Sequence, residues 1–299
     1  MRVDPTYVSN LASALNDLSG REQRISAQLA SGARISALSD DPVAAGRNVL
    51  LLNQIERDDA FTQTSSLVTG QLQVADSALG SVVAQLNQAI SLATSANNGT
   101  KNASDVKAIA NQLSGILGEV ESLANSNYQG QYIFAGGQTK TQPFSTSTAT
   151  SPGVTTYAGD GNVNYLDTPN GQKIQLNVPG EQIFLGTCNV FAVLNSLIAE
   201  FSAGTAGSSQ ATQDTEALTG ALNYVSQQRV MIDNSITQLS TAGGAILNEK
   251  TQLSAAQTDL MQADLPTLAT QLSLAKTQQT ALESLIVQLG SGSLFDKLQ

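Results

Sequence analysis

The sequence predicts a mainly α-helical fold with a β-rich insert: an elongated helical bundle or coiled coil formed by the N- and C-terminal segments, with a small β domain in the middle. Near both ends of the 299-residue chain, apolar residues recur at alternating spacings of four and three, as in an amphipathic helix. That period disappears between about residues 131 and 186, where Gly, Pro, Thr and Ser are dense. Within this stretch apolar and polar residues alternate, which indicates half-buried strands.

The first predicted helix carries an apolar seam that is interrupted only by Glu22. Gly32 follows the seam, at a point where the left-handed residue that ends a helix is least costly for glycine. After a loop, Asp41 and Pro42 combine an N-cap with a proline at the first helical position, so a second helix is predicted to begin there. The seam residues are Leu11, Leu15, Leu18, Ile25 and Leu29.

Two further helical stretches are separated by a short turn, which predicts that they pack antiparallel. The first ends at residues 97–99 and contains Gly70 and Gly80, each of which disfavours a helix by about 1 kcal/mol relative to alanine. The second is predicted to start at Ser104 and Asp105. Their seams are Val68, Leu72, Ala75, Leu79, Val82, Leu86, Ala89 and Ala93, followed by Val106, Ala110, Leu113, Leu117, Val120 and Ala124.

The clearest predicted strand covers residues 173–178, where Ile174, Leu176 and Val178 alternate with polar residues. Its partner is predicted around residues 163–165, because residues 169–171, Pro-Asn-Gly, have strong turn-forming chemistry. Residues 145–156 are rich in Ser and Thr, and we predict a loop there.

Helices return after the insert, first near residues 190–201 and again after a Gly- and Ser-rich spacer at residues 204–209. The longer of these has a seam with one polar exception, Arg229. Pro266, two residues after Asp264, predicts a restart or a kink within the C-terminal helical tract. The two seams are Leu218, Leu222, Val225, Ile232, Ile236 and Leu239, and then Leu268, Leu272, Ala275, Leu282, Ile286 and Leu289 with Gln279 as the polar break.

Helices at both ends with β structure between them predict a domain inserted into a helical bundle. The predicted parts are a terminal helical domain of residues 1–42 and 255–299, a helical rod domain of residues 43–130 and 187–254, and a β-rich outer insert of residues 131–186 with a small core of its own. A helix of about 40 residues spans roughly 60 Å, so such a bundle would be elongated.

The composition argues against most kinds of catalytic site. The chain has no His, no Trp and one Cys, Cys188, so a Ser-His-Asp triad, a Cys-His dyad and the common zinc sites lack their residues. Carboxylate, Lys and Tyr chemistries remain open. We therefore predict that the protein is not an enzyme and needs no cofactor or metal.

The charge and hydropathy of the chain bear on its partners. With 24 acidic and 14 basic residues, the net charge of −10 disfavours nucleic acid and anionic membrane surfaces as partners. No Sec-type signal is visible at the N-terminus, and polar residues interrupt every apolar run before the length of a membrane span.

Three short patterns superficially resemble functional motifs. The acidic pairs at residues 40–41 and 58–59 could be carboxylates for acid–base or metal chemistry, but adjacent helical residues point about 100° apart, and capping explains Asp41. Residues 136–140, GGQTK, lack the spacing of a phosphate-binding loop. Residues 159–161, GDG, lack the third glycine of a dinucleotide fingerprint.

Several segments resemble the flagellin superfamily. Residues 29–51, LASGARISALSDDPVAAGRNVLL, are similar to its N-terminal motif, and the C-terminal stretch of residues 264–298 resembles its last helix and Leu-Phe-rich ending. Residues 1–11 and residues 127–144, NYQGQYIFAGGQTKTQPF, look more like the proteins of the hook–filament junction than like flagellin. The residues that match the motif loop are Gly32, Arg34, Ile35, Asp40, Asp41 and Pro42.

The resemblance implies a structural protein of the bacterial flagellum. Its members at the junction form a ring of identical subunits between hook-associated protein 1 and the first layer of flagellin, and their terminal helices form an inner tube. It also implies an export chaperone, export through the type III apparatus without a cleaved Sec signal, and an extracellular location. The alternative within the superfamily is a flagellin-type filament subunit.

The terminal seams have two interpretations, because a stripe of this kind can pack in the core of its own chain or against a neighbouring subunit. A two-helix hairpin has little core and leaves much of its flank exposed, which favours use between subunits. We therefore hypothesise that the seam residues of the first and last helices form a subunit interface, namely Leu11, Leu15, Leu18, Ile25, Leu29, Leu268, Leu272, Leu282, Ile286 and Leu289.

Overall fold

The structure is a computed structural model that describes the backbone of residues 5–291 and the side chains of residues 9–288. Its helices are α1 (Pro5–Ser31), α2 (Pro42–Asn97), α3 (Ala103–Ala124), α4 (Gly180–Phe184), α5 (Val190–Ser202), α6 (Ser209–Met261) and α7 (Leu265–Ser291). Its strands are β1 (Asn127–Tyr128), β2 (Gln131–Tyr132), β3 (Phe144–Ser147), β4 (Val154–Tyr157), β5 (Tyr165–Asp167) and β6 (Lys173–Gln175). This is the mainly α fold with small β elements that the sequence predicts.

The chain divides into two compact units. We call the unit that extends up to residue 57 and from residue 248 onward the terminal unit, and residues 58–247 the central unit. Both α2 and α6 contribute to both units. The finer division into three domains stays a prediction.

The central unit contains a large core that follows the predicted seams. The side chains of α2 that line it begin at Leu72 and recur with the four-three spacing to Ala93, while Val68 is half-buried. The six predicted seam residues of α3 are all buried. Asn102, rather than Ser104 or Asp105, caps α3, because its side chain accepts a hydrogen bond from the backbone N–H of Asp105 at 2.8 Å.

Two residues that do not fit the helical patterns, Arg229 in α6 and Gly70 in α2, have structural explanations. The guanidinium of Arg229 forms a two-point ion pair with Asp76, with its Nε 2.5 Å from Oδ1 and its Nη2 3.1 Å from Oδ2. Gly70 leaves room for Tyr128, whose hydroxyl oxygen would lie only 2.6 Å from a Cβ atom at that position. A residue larger than glycine would therefore displace Tyr128.

The segment that links α3 to α5 shares the core of the helices. The buried ring of Phe144 lies 5.1 Å from Phe191 in α5 and 5.3 Å from Phe184 in α4, measured between ring centroids. The side chain of Asn125, just after α3, binds both the N–H and the C=O of Phe144 at 2.9 Å. The expectation that the insert has a separate core is therefore wrong, since its phenylalanines pack against a helix outside it.

The predicted loop at residues 145–156 is wrong in part, because half of these residues lie in β3 and β4, which form an antiparallel hairpin. Hydroxyl groups pair across the two strands, with Thr146 and Thr155 2.7 Å apart and Ser145 and Thr156 3.0 Å apart. Threonine is β-branched and favours strands, so a Ser- and Thr-rich composition did not imply a loop here.

The predicted strand pair is confirmed, but its strands are short. Tyr165 pairs with Gln175 and Asp167 with Lys173 in the antiparallel β5–β6 hairpin. Beyond Gln175 the N–H of Leu176 still donates to the C=O of Asn164 at 2.8 Å, and the side chain of Asn177 then accepts from the N–H of Asn164 at 2.7 Å and donates to the C=O of Asn162 at 2.9 Å. Leu176 and Val178 therefore lie outside the strand.

Among residues 5–291, no helix combines the length and the apolar character needed to cross a bilayer.

Candidate functional site: the terminal helices and their connecting loop

The loop between α1 and α2 is joined to the break between α6 and α7. Gly32 ends α1 with a left-handed φ of +68°, and its N–H binds the C=O of Gln28 at 2.9 Å. Its C=O accepts from the N–H of Ala263 at 2.9 Å, and the N–H of Arg34 donates to the C=O of Met261 at 2.7 Å. These two bonds form a short antiparallel bridge, so both breaks in the helical segments are held at one place.

The side chain of Arg34 strengthens this bridge. Its Nε and Nη2 donate to the C=O of Leu260 at 3.2 and 3.0 Å, and its Nη1 lies 3.3 Å from Oδ2 of Asp41. Leu260 belongs to the last turn of α6, where carbonyl groups lack a partner within the helix and a cation is favoured. Arg34 therefore links the end of α6 to the residue that precedes α2.

Asp40 and Asp41 organise the loop through hydrogen bonds. Oδ2 of Asp40 accepts from the N–H of Ala37 at 2.9 Å, and from the N–H and hydroxyl of Ser36 at 3.0 and 2.9 Å. These donors, the N–H of Ala37 foremost, lower the pKa of Asp40. Oδ1 of Asp41 accepts from the N–H of Ala44 at 3.0 Å, which confirms its predicted role as the N-cap of α2 and lowers its pKa, with Arg34 adding to the effect.

The motif residues thus act as one structural element. Ile35 is buried, while Pro42 begins α2 as the sequence predicts. The six residues that match the superfamily motif all lie in or beside this loop. Each charged group of the motif binds either within the loop or to the end of α6, so the arrangement serves to position helices.

The structure brings the two terminal seams together within one chain. Helices α1 and α7 pack against each other, and they run antiparallel because residues 14–21 lie beside residues 278–285 while Ala33 pairs with Gln262. Leu18 and Ile25 are buried. The side chain of Leu289 lies outside the described residues. The half-buried members are Leu11, Leu15, Leu29, Leu268, Leu272, Leu282 and Ile286.

Sequence reasoning missed a second set of apolar side chains in the terminal unit. They are exposed, and some recur with helical spacing on faces that flank the main seams. This weaker pattern is difficult to recognise in the sequence, because the stronger seam overlaps with it. This exposed set consists of Leu38, Val43, Val49, Leu50, Leu52, Leu265, Leu274, Leu285 and Val287.

The described part of the chain contains no group of three or more His, Cys, Asp or Glu side chains that could hold a metal ion. The carboxylate of Asp160, in the GDG segment, binds the N–H of Gly137 at 2.6 Å and the side-chain amide of Asn162 at 2.9 Å. It therefore closes a turn at the GGQTK segment.

Comparison with known proteins supports an assignment by family. Residues 7–139 match the family model described as the bacterial flagellin N-terminal helical region. Flagellar hook-associated protein 3 of Escherichia coli is 26% identical over 247 residues, covering 78% of this chain and 75% of the relative. The Salmonella typhimurium protein of the same name is 25% identical over 275 residues, covering 83% and 84%. A Listeria monocytogenes flagellin is 27% identical over 243 residues, covering 80% and 77%.

Solved structures show the same fold. A flagellar hook-associated protein from Vibrio parahaemolyticus aligns with a TM-score of 0.66 and 20% identity over 75% of this chain and all of that one. Hook-associated protein 3 from Legionella pneumophila aligns with a TM-score of 0.63 and 14% identity over 71% and 98%. The matched N-terminal region and the curated relatives make this chain similar to proteins of the flagellin superfamily, and within that superfamily to hook-associated protein 3.

Proposed function

We propose that this protein is a structural subunit of the bacterial flagellum and forms the ring that joins the hook to the flagellin filament. Two of the curated relatives support this function, since both are flagellar hook-associated protein 3. In that position, hook-associated protein 1 lies on one side, flagellin on the other, and further copies of the chain lie alongside.

The observation that carries the proposal is the unequal distribution of apolar surface. The large core lies within the central unit, whereas the terminal unit exposes nine large apolar side chains among its described residues, 9–57 and 248–288. Burying one Leu or Ile is worth about 1.5 to 3 kcal/mol, so a few such residues at each repeated contact can sustain an assembly. A subunit that acts alone would gain nothing from this surface.

The two terminal helices then have two roles. Their buried and half-buried residues close α1 on α7 within one chain, and we infer that the exposed flanks of the same helix pair contact neighbouring subunits. The predicted interface residues support such contacts by fixing the geometry of the pair. The motif loop holds the pair at its junction with α2 and α6.

The remaining roles follow from the same proposal. We infer that the protein has no catalytic activity, cofactor, nucleic-acid partner or membrane partner. We also infer that it is exported with the help of a chaperone through the type III apparatus, without a cleaved Sec signal, and that it acts outside the cell. Purified protein that binds zinc stoichiometrically and turns over a substrate would contradict the first inference.

The direct test is to delete the gene in the host bacterium and image its flagella by electron microscopy. We expect hooks without filaments and flagellin shed into the medium, both corrected by a plasmid copy. Filaments of normal length on the deletion strain would refute the junction role.

The flagellin match keeps a filament subunit as the second candidate. The number of copies per isolated flagellum distinguishes the two functions. A junction ring requires few copies for each flagellum, whereas a filament subunit would dominate the protein content.

A further inference from the structure

Helix α7 carries a second stripe, which lies about 100° around the helix axis from the seam that packs on α1. Leu274, Gln278, Ala281 and Leu285 recur at spacings of four, three and four, so they share an arc of about 60°. The side chains of Leu274 and Leu285 are 58% and 45% exposed. The packing of α7 on α1 thus leaves this stripe open to solvent.

The stripe borders a groove of about 500 Å³ between α1 and α7. Leu18, Ala281, Leu282 and Leu285 give the groove apolar walls, and Asp17 and Arg21 of α1 supply charged groups. A channel of this kind between two packed helices, apolar inside and charged at the side, is the shape that the side chains of a third helix fill.

A ridge that suits this groove lies on the first turns of α2. Val43, Arg47 and Leu50 share one face, and the side chains of Val43 and Leu50 are 67% and 70% exposed. A different face of α2 packs within the chain, because Ala44 is buried there and Asn48 accepts a hydrogen bond from Gln257 of α6 at 3.0 Å. The ridge therefore points away from the packing of its own chain.

We propose that the Val43–Leu50 ridge of one copy docks into the α1–α7 groove of a second copy, a contact that rests on the proposed ring function. Groove and ridge are both exposed in the same chain, so they do not cover each other, and another copy carries the missing half. The cation of Arg47 lies between the two apolar residues of the ridge, where Asp17 of the groove can pair with it. Because groove and ridge are different surfaces, the contact repeats from copy to copy and closes a ring when the rotation allows.

Disulfide cross-linking on purified hooks tests this contact. In a Cys188→Ser background, Leu50→Cys is combined with Leu285→Cys, and the reduced protein is added to hooks that carry hook-associated protein 1 before oxidation. We expect a ladder of multimers on non-reducing gels. The matched control combines Leu50→Cys with Val287→Cys, because Val287 is 68% exposed but lies about 150° from the centre of the stripe.

Charge exchange gives a second readout. Asp17→Arg and Arg47→Asp should each reduce attachment to hooks, and the double variant should restore it. A ladder in the Val287 control equal to that of Leu285, or a double variant no better than the singles, would overturn the contact. Cross-linking of Leu285→Cys to flagellin or to hook-associated protein 1 instead would overturn the choice of a second copy as occupant.

The outcome for the unsubstituted chain separates the two proposals. If it does not attach to hooks at all, the junction function fails. If it attaches while the cysteine pair, folded by circular dichroism, gives no ladder, only the ridge-and-groove contact fails.

Discussion

At the scale of single residues, Arg34 has the most consequential position. Its partner Leu260 is 226 positions away in the sequence, and no local pattern could have predicted that contact. The capping role of Asp41 was predictable, because an acidic residue before a proline is a local signal. The motif positions could thus be identified from the sequence, but the bridge that they form required the fold.

We expect Arg34→Lys to loosen the bridge, because a lysine ammonium cannot donate in parallel to Leu260 and Asp41 with the planar geometry of a guanidinium. Hydrogen exchange of the amides of residues 32–41 and 261–263 should become about tenfold faster, which corresponds to a decrease of about 1.4 kcal/mol in the free energy of local opening. The exposed Arg47→Lys serves as the control. Unchanged protection in Arg34→Lys would show that the backbone bonds alone hold the loop.

The loop should also respond to acid. The pKa values of Asp40 and Asp41 are lowered by hydrogen bonds in the folded chain, so their stabilising effect is complete above about pH 4 and is lost as the pH falls through the lowered values. We expect pepsin cleavage within residues 32–41 to increase as the pH falls over this range. Asp40→Asn should remove much of that dependence, and an equal pH response in the variant would contradict this assignment.

At the scale of elements, spacing predicted the long helices well, because a stripe such as Leu72 to Ala93 both forms the helix and buries its face. It failed for the β3–β4 hairpin, which is held by hydroxyl pairs across its strands and by the ring of Phe144, neither of which is visible as a local period. The exposed stripe of Leu274 and Leu285 escaped notice because a stronger seam runs beside it. Where two patterns overlap, packing decides which one is buried.

The shared aromatic cluster leads to a prediction about the hairpin. Replacing the fully buried Phe144 by alanine should cost about 3 to 5 kcal/mol, since the ring contacts Phe184 and Phe191 together. Because the cluster belongs to the core of the central unit, we expect the main urea transition, followed by helical circular dichroism, to shift. The exposed Val154→Ala should shift it little. A normal helical transition with loss only of a local aromatic signal would indicate an insert that folds independently.

At the scale of the whole molecule, we infer that the central unit provides most of the stability and that the terminal unit provides the contacts for assembly. The central unit buries the large core, and the terminal unit buries little and leaves apolar surface exposed. Mutations in the two units should therefore affect different measurements. Mutations in the terminal helices should change attachment to the hook without changing the main unfolding transition.

The double substitution Leu282→Asp and Ile286→Asp examines this division, because both side chains are half-buried on the face of α7 that packs on α1. Two carboxylates on that face would cost several kcal/mol unless water reaches them, so the α1–α7 pair should open. Among the described residues, the core of the central unit includes no side chain of α1 or α7, so its melting temperature should stay nearly constant. Attachment to purified hooks should fail, because the opened pair no longer presents its groove. The matched control is Thr280→Asp, a carboxylate on the same helix at an exposed position outside the seam and the exposed apolar set, which should still attach. If the double variant attaches and supports filament growth, the closed pair of terminal helices is not required for assembly; if the main transition collapses with it, stability and assembly are not divided between the units.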